Sequence, residues 1–225
     1  MCPMHDSNRR FRTGSALLLM LALAACSDNA PAPENAVQEQ TAAEGPAGAP
    51  LPEFKDTRPS DPVQREFDRL LQLAELGDSN AQARIAWMYR NGEGVEKNDQ
   101  LAFQWMKKSA EKGDSVAQDN LGVFYRDGIG TDMNTAEAVS WFRKSAIQGN
   151  PEGQGNLGQA LIDGNGVERN YYLGYVWSGI SAKSGKSEFA KNNLVQVGGA
   201  LKPEERAKAD QVIADWTPGR EPSGP

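Results

Sequence analysis

The sequence predicts an all-α protein: an α/α solenoid of about three 36-residue helix-turn-helix repeats with helical caps at both ends. Three observations carry this reading. Gly77, Gly113, Gly149 and Gly185 lie 36 residues apart, and the same interval links Trp105, Trp141 and Trp177 as well as Ala110, Ala146 and Ala182. Inside each period an apolar stripe recurs at helical spacing, as in Ala81, Ile85 and Tyr89. Start and stop residues punctuate the stripes: Asp78, Asp114 and Asn150 suit helix N-caps, and Gly92, Gly128 and Gly164 suit helix ends. A fixed period of this length marks units that cannot bury both faces alone and must stack.

Residues 1–25 precede the array. Arg9, Arg10 and Arg12 form a basic flank, and Ala16 to Ala25 is an unbroken apolar run of ten. A bilayer-spanning helix needs roughly 20 apolar residues, so the run fits the core of a secretory signal instead. Leu23-Ala24-Ala25-Cys26 resembles the bacterial lipobox. That resemblance implies cleavage before Cys26, a diacylglycerol on its thiol and membrane attachment through the N-terminal lipid. Residues 26–60 are rich in Ala, Pro, Glu and Gln with Phe54 as the only aromatic, and cannot bury enough apolar surface to offset ordering entropy. They are expected to be a disordered tether with a reach of roughly 30–35 Å.

Residues 61–77 hold an N-terminal capping helix that aligns with the second helix of a missing unit: Phe67 lies 36 before Phe103, and Ala74 lies 36 before Ala110. Repeats follow at 78–113, 114–149 and 150–185. In the first, helices are expected near 78–91 and 98–112, with Asn98 capping the second. Ala102, Trp105 and Ala110 form that helix's buried face. The third unit departs, with Leu161 in place of the tyrosine, and Gly153, Gly155 and Gly158 within one helix. Each glycine costs about 1 kcal/mol against alanine, so this helix is expected to be the least stable. Residues 186–217 supply C-terminal capping helices, the last opening at Pro203 with acids in its first turn. Residues 218–225 are expected to fray.

The stretches "AELGDSNAQARIAWMYRNGEGVEKNDQLAFQWMKKSA" and "AEKGDSVAQDNLGVFYRDGIGTDMNTAEAVSWFRKSA" resemble the Sel1-like repeat, a relative of the tetratricopeptide repeat. The likeness runs over about residues 74–185. It implies a non-enzymatic interaction scaffold whose first helices line a concave face.

Composition narrows the chemistry. His5 is the only histidine, and Cys2 and Cys26 are the only cysteines. Beyond Cys26 there is no imidazole or thiol to serve as general base, nucleophile or zinc ligand, so no catalytic residue, metal or cofactor is expected. Removal of residues 1–25 takes Lys+Arg from 24 to 21 and Asp+Glu from 30 to 29, leaving a net charge of −8. An acidic chain lacking a basic stripe is a poor ligand for nucleic acid. Ser109-Ala110-Glu111-Lys112 fits the Ser-x-x-Lys pattern of penicillin-recognising enzymes. However, Ser109 is a repeat position echoed by Ser145 and Ser181, and it lies at a helix C-terminus. Asp127 and Asp163 sit at equivalent helix ends and read as solvated termini.

What remains is a surface. If the first helices line the concave face, the positions equivalent to 80, 83, 87, 90 and 91 look outward from it. The residues expected to contact a partner are Asn80, Trp87, Arg90, Asn91, Val123, Arg126, Asp127, Gln159 and Asp163. Trp87 is the one tryptophan of the repeats outside the 36-residue series, and Trp and Arg are favoured interface anchors. The expected function is a lipid-anchored interaction module of the bacterial cell envelope, at the outer membrane facing the periplasm, that binds an envelope protein or peptide. Ser27 after Cys26 agrees with that sorting. The alternatives are an immunity-type lipoprotein neutralising a secreted phospholipase, a peptidoglycan-binding spacer, and a β-lactam or cell-wall hydrolase.

Overall fold

Asp61 opens the first helix by accepting from Val63 N, and Pro62 stands at the position where a missing N–H costs nothing. The computed structural model describes residues 61–185 and 187–224. The signal segment, Cys26 and the tether lie outside them. The helices are α1 (Pro62–Glu75), α2 (Ser79–Asn91), α3 (Asp99–Glu111), α4 (Ser115–Asp127), α5 (Thr135–Ile147), α6 (Pro151–Asp163), α7 (Tyr171–Lys183), α8 (Glu188–Gly198) and α9 (Pro203–Asp215). Three hairpins, α2–α3, α4–α5 and α6–α7, form the repeats. Asp78, Asp114 and Asn150 cap the first helix of each by accepting from Ala81 N, Ala117 N and Gly153 N at 2.7, 2.7 and 3.0 Å. Asn98, Asn134 and Asn170 cap the second helices at 2.9 to 3.0 Å.

Bonds at a constant interval lock each unit together and to its predecessor. Within a unit, the buried hydroxyls of Ser109, Ser145 and Ser181 donate to the carbonyls of Ser79, Ser115 and Pro151 at 2.8, 2.6 and 2.7 Å. Between units, the buried amides of Gln82, Gln118 and Gln154 donate to the last carbonyls of the preceding second helix, Ala74, Ala110 and Ala146, at 2.9, 3.3 and 3.1 Å. Each such buried bond contributes about 1 kcal/mol net. The loop after each first helix also leans on the previous unit. A Cβ at Gly130 would collide with the backbone of Asp99, and one at Gly166 with that of Thr135, so both positions require glycine.

α1 takes the place of a second helix in this scheme. Gly94 rests on Val63, as Gly130 rests on Asp99 36 residues later. Phe67 meets Tyr89 edge-on at 5.3 Å, and Phe103 meets Tyr125 in the same way at 5.2 Å. In the next unit the corresponding pair is Val139 and Leu161, both buried, so the missing tyrosine comes with a missing phenylalanine.

The glycines of α6 do more than weaken a helix. A Cβ at Gly153 would collide with Ser145 Oγ, and one at Gly158 with Ser178 Oγ. Both are close-approach positions for α5 and α7. Only at Gly155 would a Cβ meet ordinary contacts, at 3.5 Å from Ser181 Oγ and Ser187 Oγ.

The C-terminal cap departs from the repeat. α8 packs on α7 and α6, but α9 lies across α7. Ile213 covers Gly179, Tyr175 Oη donates to Asp210 at 2.9 Å, and Lys183 Nζ donates to Ile213 O and Ala214 O at 3.0 Å. α7 is therefore buried nearly all round, as its continuous apolar sequence requires. The tail expected to fray does not trail free. Gly219 N donates to Ile147 O at 2.7 Å, Arg143 pairs with Glu221 at 2.8 Å, and Trp216 packs edge-on against Trp177 at 5.8 Å. The physical reason is Trp216, whose ring closes the apolar face of α7 and brings residues 218–224 alongside α5.

Candidate functional site

First helices touch one another along the array, α4 on α6 and α6 on α8, more than the second helices α3, α5 and α7 do. Their outward positions form one layer, and the nine residues expected to contact a partner fall into two groups and three outliers on it.

The first group bridges α2 and α4. The Arg90 guanidinium lies 5.0 Å from the Trp87 ring centroid and 5.4 Å from that of Phe124. Trp87 is half-buried and packs against the apolar core that α1 to α4 share.

In the second group, Arg126, Gln159 and Asp163 rim a cleft of about 110 Å³ that lies over α5 between the end of α4 and α6, with Asp127 held beside it. Val139 and Phe142 of α5 lie at its apolar base, and Arg126, Asn156, Gln159, Asp163 and Phe189 line its sides. Arg126 grips Asp127 with two bonds, Nε to Oδ1 at 2.7 Å and Nη2 to Oδ2 at 3.0 Å. That grip holds the Asp127 carboxyl below the usual carboxylate range and raises the guanidinium. Gln159 Nε2 donates to Asp163 Oδ2 at 2.6 Å, and Arg169 Nη2 donates to the Asp163 carbonyl at 3.0 Å.

The outliers are Asn80, exposed in the first turn of α2, Asn91, whose amide donates to Glu93 Oε1 at 3.0 Å, and Val123, half-buried against the apolar core of the later helices.

Three residues outside that set belong to the layer: Asp119, Asn156 and Phe189. Asp119, 7% exposed, accepts from Asn156 Nδ2 at 2.8 Å and ties α4 to α6. Burial pushes its carboxyl up to about 6, against the opposing pull of the Asn156 bond. In the equivalent places stand Ala83 and Gly155, so Asp119 is a break in the repeat, a signal readable in the sequence. Phe189 carried no such signal, because the register beyond Gly185 is not set by the 36-residue period.

The arrangement can recognise a partner by hydrogen bonds and apolar contact. Ser109 is fully buried with its hydroxyl spent on Ser79 O, and Lys112 Nζ reaches Gly77 O, so neither faces this cleft. Among the described residues no group of three or more His, Cys, Asp or Glu could hold a metal ion, and no helix is long and apolar enough to cross a membrane.

The Sel1 repeat family model matches residues 79–114, 115–150 and 151–186. Among solved structures, the chain is similar to a Sel1 repeat protein from Oxalobacter formigenes: 33% identity, TM-score 0.53, covering 59% of this chain and 98% of that one. It is also similar to a protective antigen of uropathogenic Escherichia coli that displays an SLR fold: 30% identity, TM-score 0.62, covering 66% of this chain. This chain spans 32% of the length of that antigen. Among curated proteins, none matches the sequence.

Proposed function

Because the chain belongs to the Sel1 repeat family, we propose that it is a protein-binding module whose first-helix layer receives a protein or peptide of the bacterial envelope. A lipid on Cys26 holds it at the membrane, and the segment through residue 60 gives it reach. The observation that carries the binding role is the α4–α6 cleft. An apolar base is ringed by a guanidinium, three amides and a carboxylate drawn from two different units, and such a mixture of buried centre and polar rim is what interfaces are built from. Arg126, paired with Asp127, and Asp163, bonded by Gln159, put polar groups on opposite sides of the cleft that a peptide could engage with its own backbone and side chains.

The test is capture from envelope extract on residues 61–225, which carry helices α1 to α9, beside Arg126→Ala and Trp87→Ala versions of the same bait. A protein retained by the parent and lost from both variants supports the reading. Equal retention on all three removes the first-helix layer from consideration. Lipidation is tested separately, by incorporation of labelled fatty acid into the full chain and its loss in Cys26→Ser.

A further inference from the structure

The two ends of the array are half-units of opposite kind. α1 is a second helix with no first helix. α8 follows the first helices in order, is capped by Ser187 as they are capped by Asp or Asn, and has no second helix against it because α9 packs on α7. The uncovered sides are apolar. Of the eight large hydrophobic residues exposed among those described, Leu73, Leu76 and Val195 lie on these sides, on α1, its C-cap and α8, at 37, 85 and 84% exposure.

These residues stand where a complete unit makes its internal contact. Leu73 occupies the place of Ser109 and Ser145, whose hydroxyls bond the first helix of their own unit. Leu76 occupies the place of Gln148, whose amide bonds Gln118 of its own first helix at 2.7 Å. Val195 lies eight residues after its cap, as Gly122 and Gly158 do, and those two lie against Phe142 and Ser178 of their own second helices. At Leu73 and Leu76 a hydrophobic side chain stands where Ser109, Ser145 and Gln148 bond the first helix of their own unit.

We propose that the domain stacks head to tail on a second copy of itself, with α1 of one copy filling the place of the second helix that α8 of its neighbour lacks. The contact continues the stacking interface already repeated inside the chain. It is heterologous, with different surfaces on the two partners, so it leaves a free α1 at one end and a free α8 at the other and can propagate.

The test is sedimentation of the full chain carrying Cys2→Ser and Cys26→Ser, over a range of concentrations, beside Leu76→Glu and Val195→Glu versions. Both positions are solvent-exposed in the single copy, so neither change should disturb folding, which circular dichroism checks. The expected result is a mass that rises with concentration past two copies, at least tenfold weaker association in either variant alone, and restored pairing that stops at two when the variants are mixed. Association lost in Leu76→Glu but kept in Val195→Glu would mean a two-fold contact through α1, and would overturn the proposal. So would a single-copy mass at every concentration.

Discussion

Replacing Asp119 by asparagine isolates the cost of one buried charge. The substituted amide would keep the shape of the side chain and the acceptor that Asn156 Nδ2 uses, and would remove only the ionisation. The carboxyl is raised from 3.8 to about 6, chiefly by burial, with Glu152 adding to the rise and Arg126 and the Asn156 bond opposing it. A rise of roughly two units corresponds to about 3 kcal/mol between the protonation states, an order-of-magnitude value. The sign follows from proton uptake. Between about pH 4 and 6 the folded chain holds a proton that the unfolded chain has released, so this group makes stability fall as pH rises through that window. Above pH 6 the full cost is present. Asp119→Asn should therefore gain about 2–3 kcal/mol at pH 7.5, or roughly 5–10 °C in Tm for a domain of this size, and little at pH 4. Thermal and urea unfolding by circular dichroism, run at intervals from pH 4 to 8 on both proteins, reads the difference directly. A variant that is less stable at pH 7.5, or one whose advantage does not grow with pH, would refute the reasoning.

Three further outcomes follow from the packing. Gly155→Ala should stabilise by about 0.5–1 kcal/mol, since a methyl has room and alanine favours helix, whereas Gly158→Ala should destabilise by more than that because the methyl strikes Ser178; paired thermal melts compare them. Ser145→Ala should cost about 1–2 kcal/mol through loss of the buried bond to Ser115 O, measured by urea unfolding. Ending the chain at Trp216 should lower Tm and shift tryptophan emission to the red as the ring gains water, while Glu221→Gln alone should change stability by less than about 1 kcal/mol because its pair with Arg143 is exposed.

The repeat made most of the fold readable before any coordinates. Asp78, Asn98 and their 36-residue echoes placed six helix starts, and Phe67 and Ala74 identified α1 as a second helix without a first. What stayed hidden lies where the period fails. The outer face of the second helices is Gln104, Lys107 and Lys108 in one unit and Ser140, Arg143 and Lys144 in the next, but Val176, Gly179 and Ile180 in α7. That polar-to-apolar change announces a covering helix, and α9 with Trp216 is the cover. The candidate site was half legible. Periodicity gave the layer and therefore Arg126, Gln159 and Asp163, but not which of them share a cleft. That depends on how α4 and α6 are tied together, by the Asp119–Asn156 bond, a contact no repeat rule supplies.

The clamps also give the array a mechanical direction. At the far end, α9 and the tail reach back over α7 and α5, so the last units are held by segments that are distant in sequence. At the near end, the described contacts of α1 and the turn that follows it run to neighbouring segments: Gln82, Tyr89 and Gly94 of α2 and its loop, and Lys112 at the end of α3. Tension entering through residue 61 would meet the least-fastened helix first and open the stack like a zipper, one unit at a time. The same tension applied at the other end would have to strip the strap from α5 and α7 before any repeat could yield.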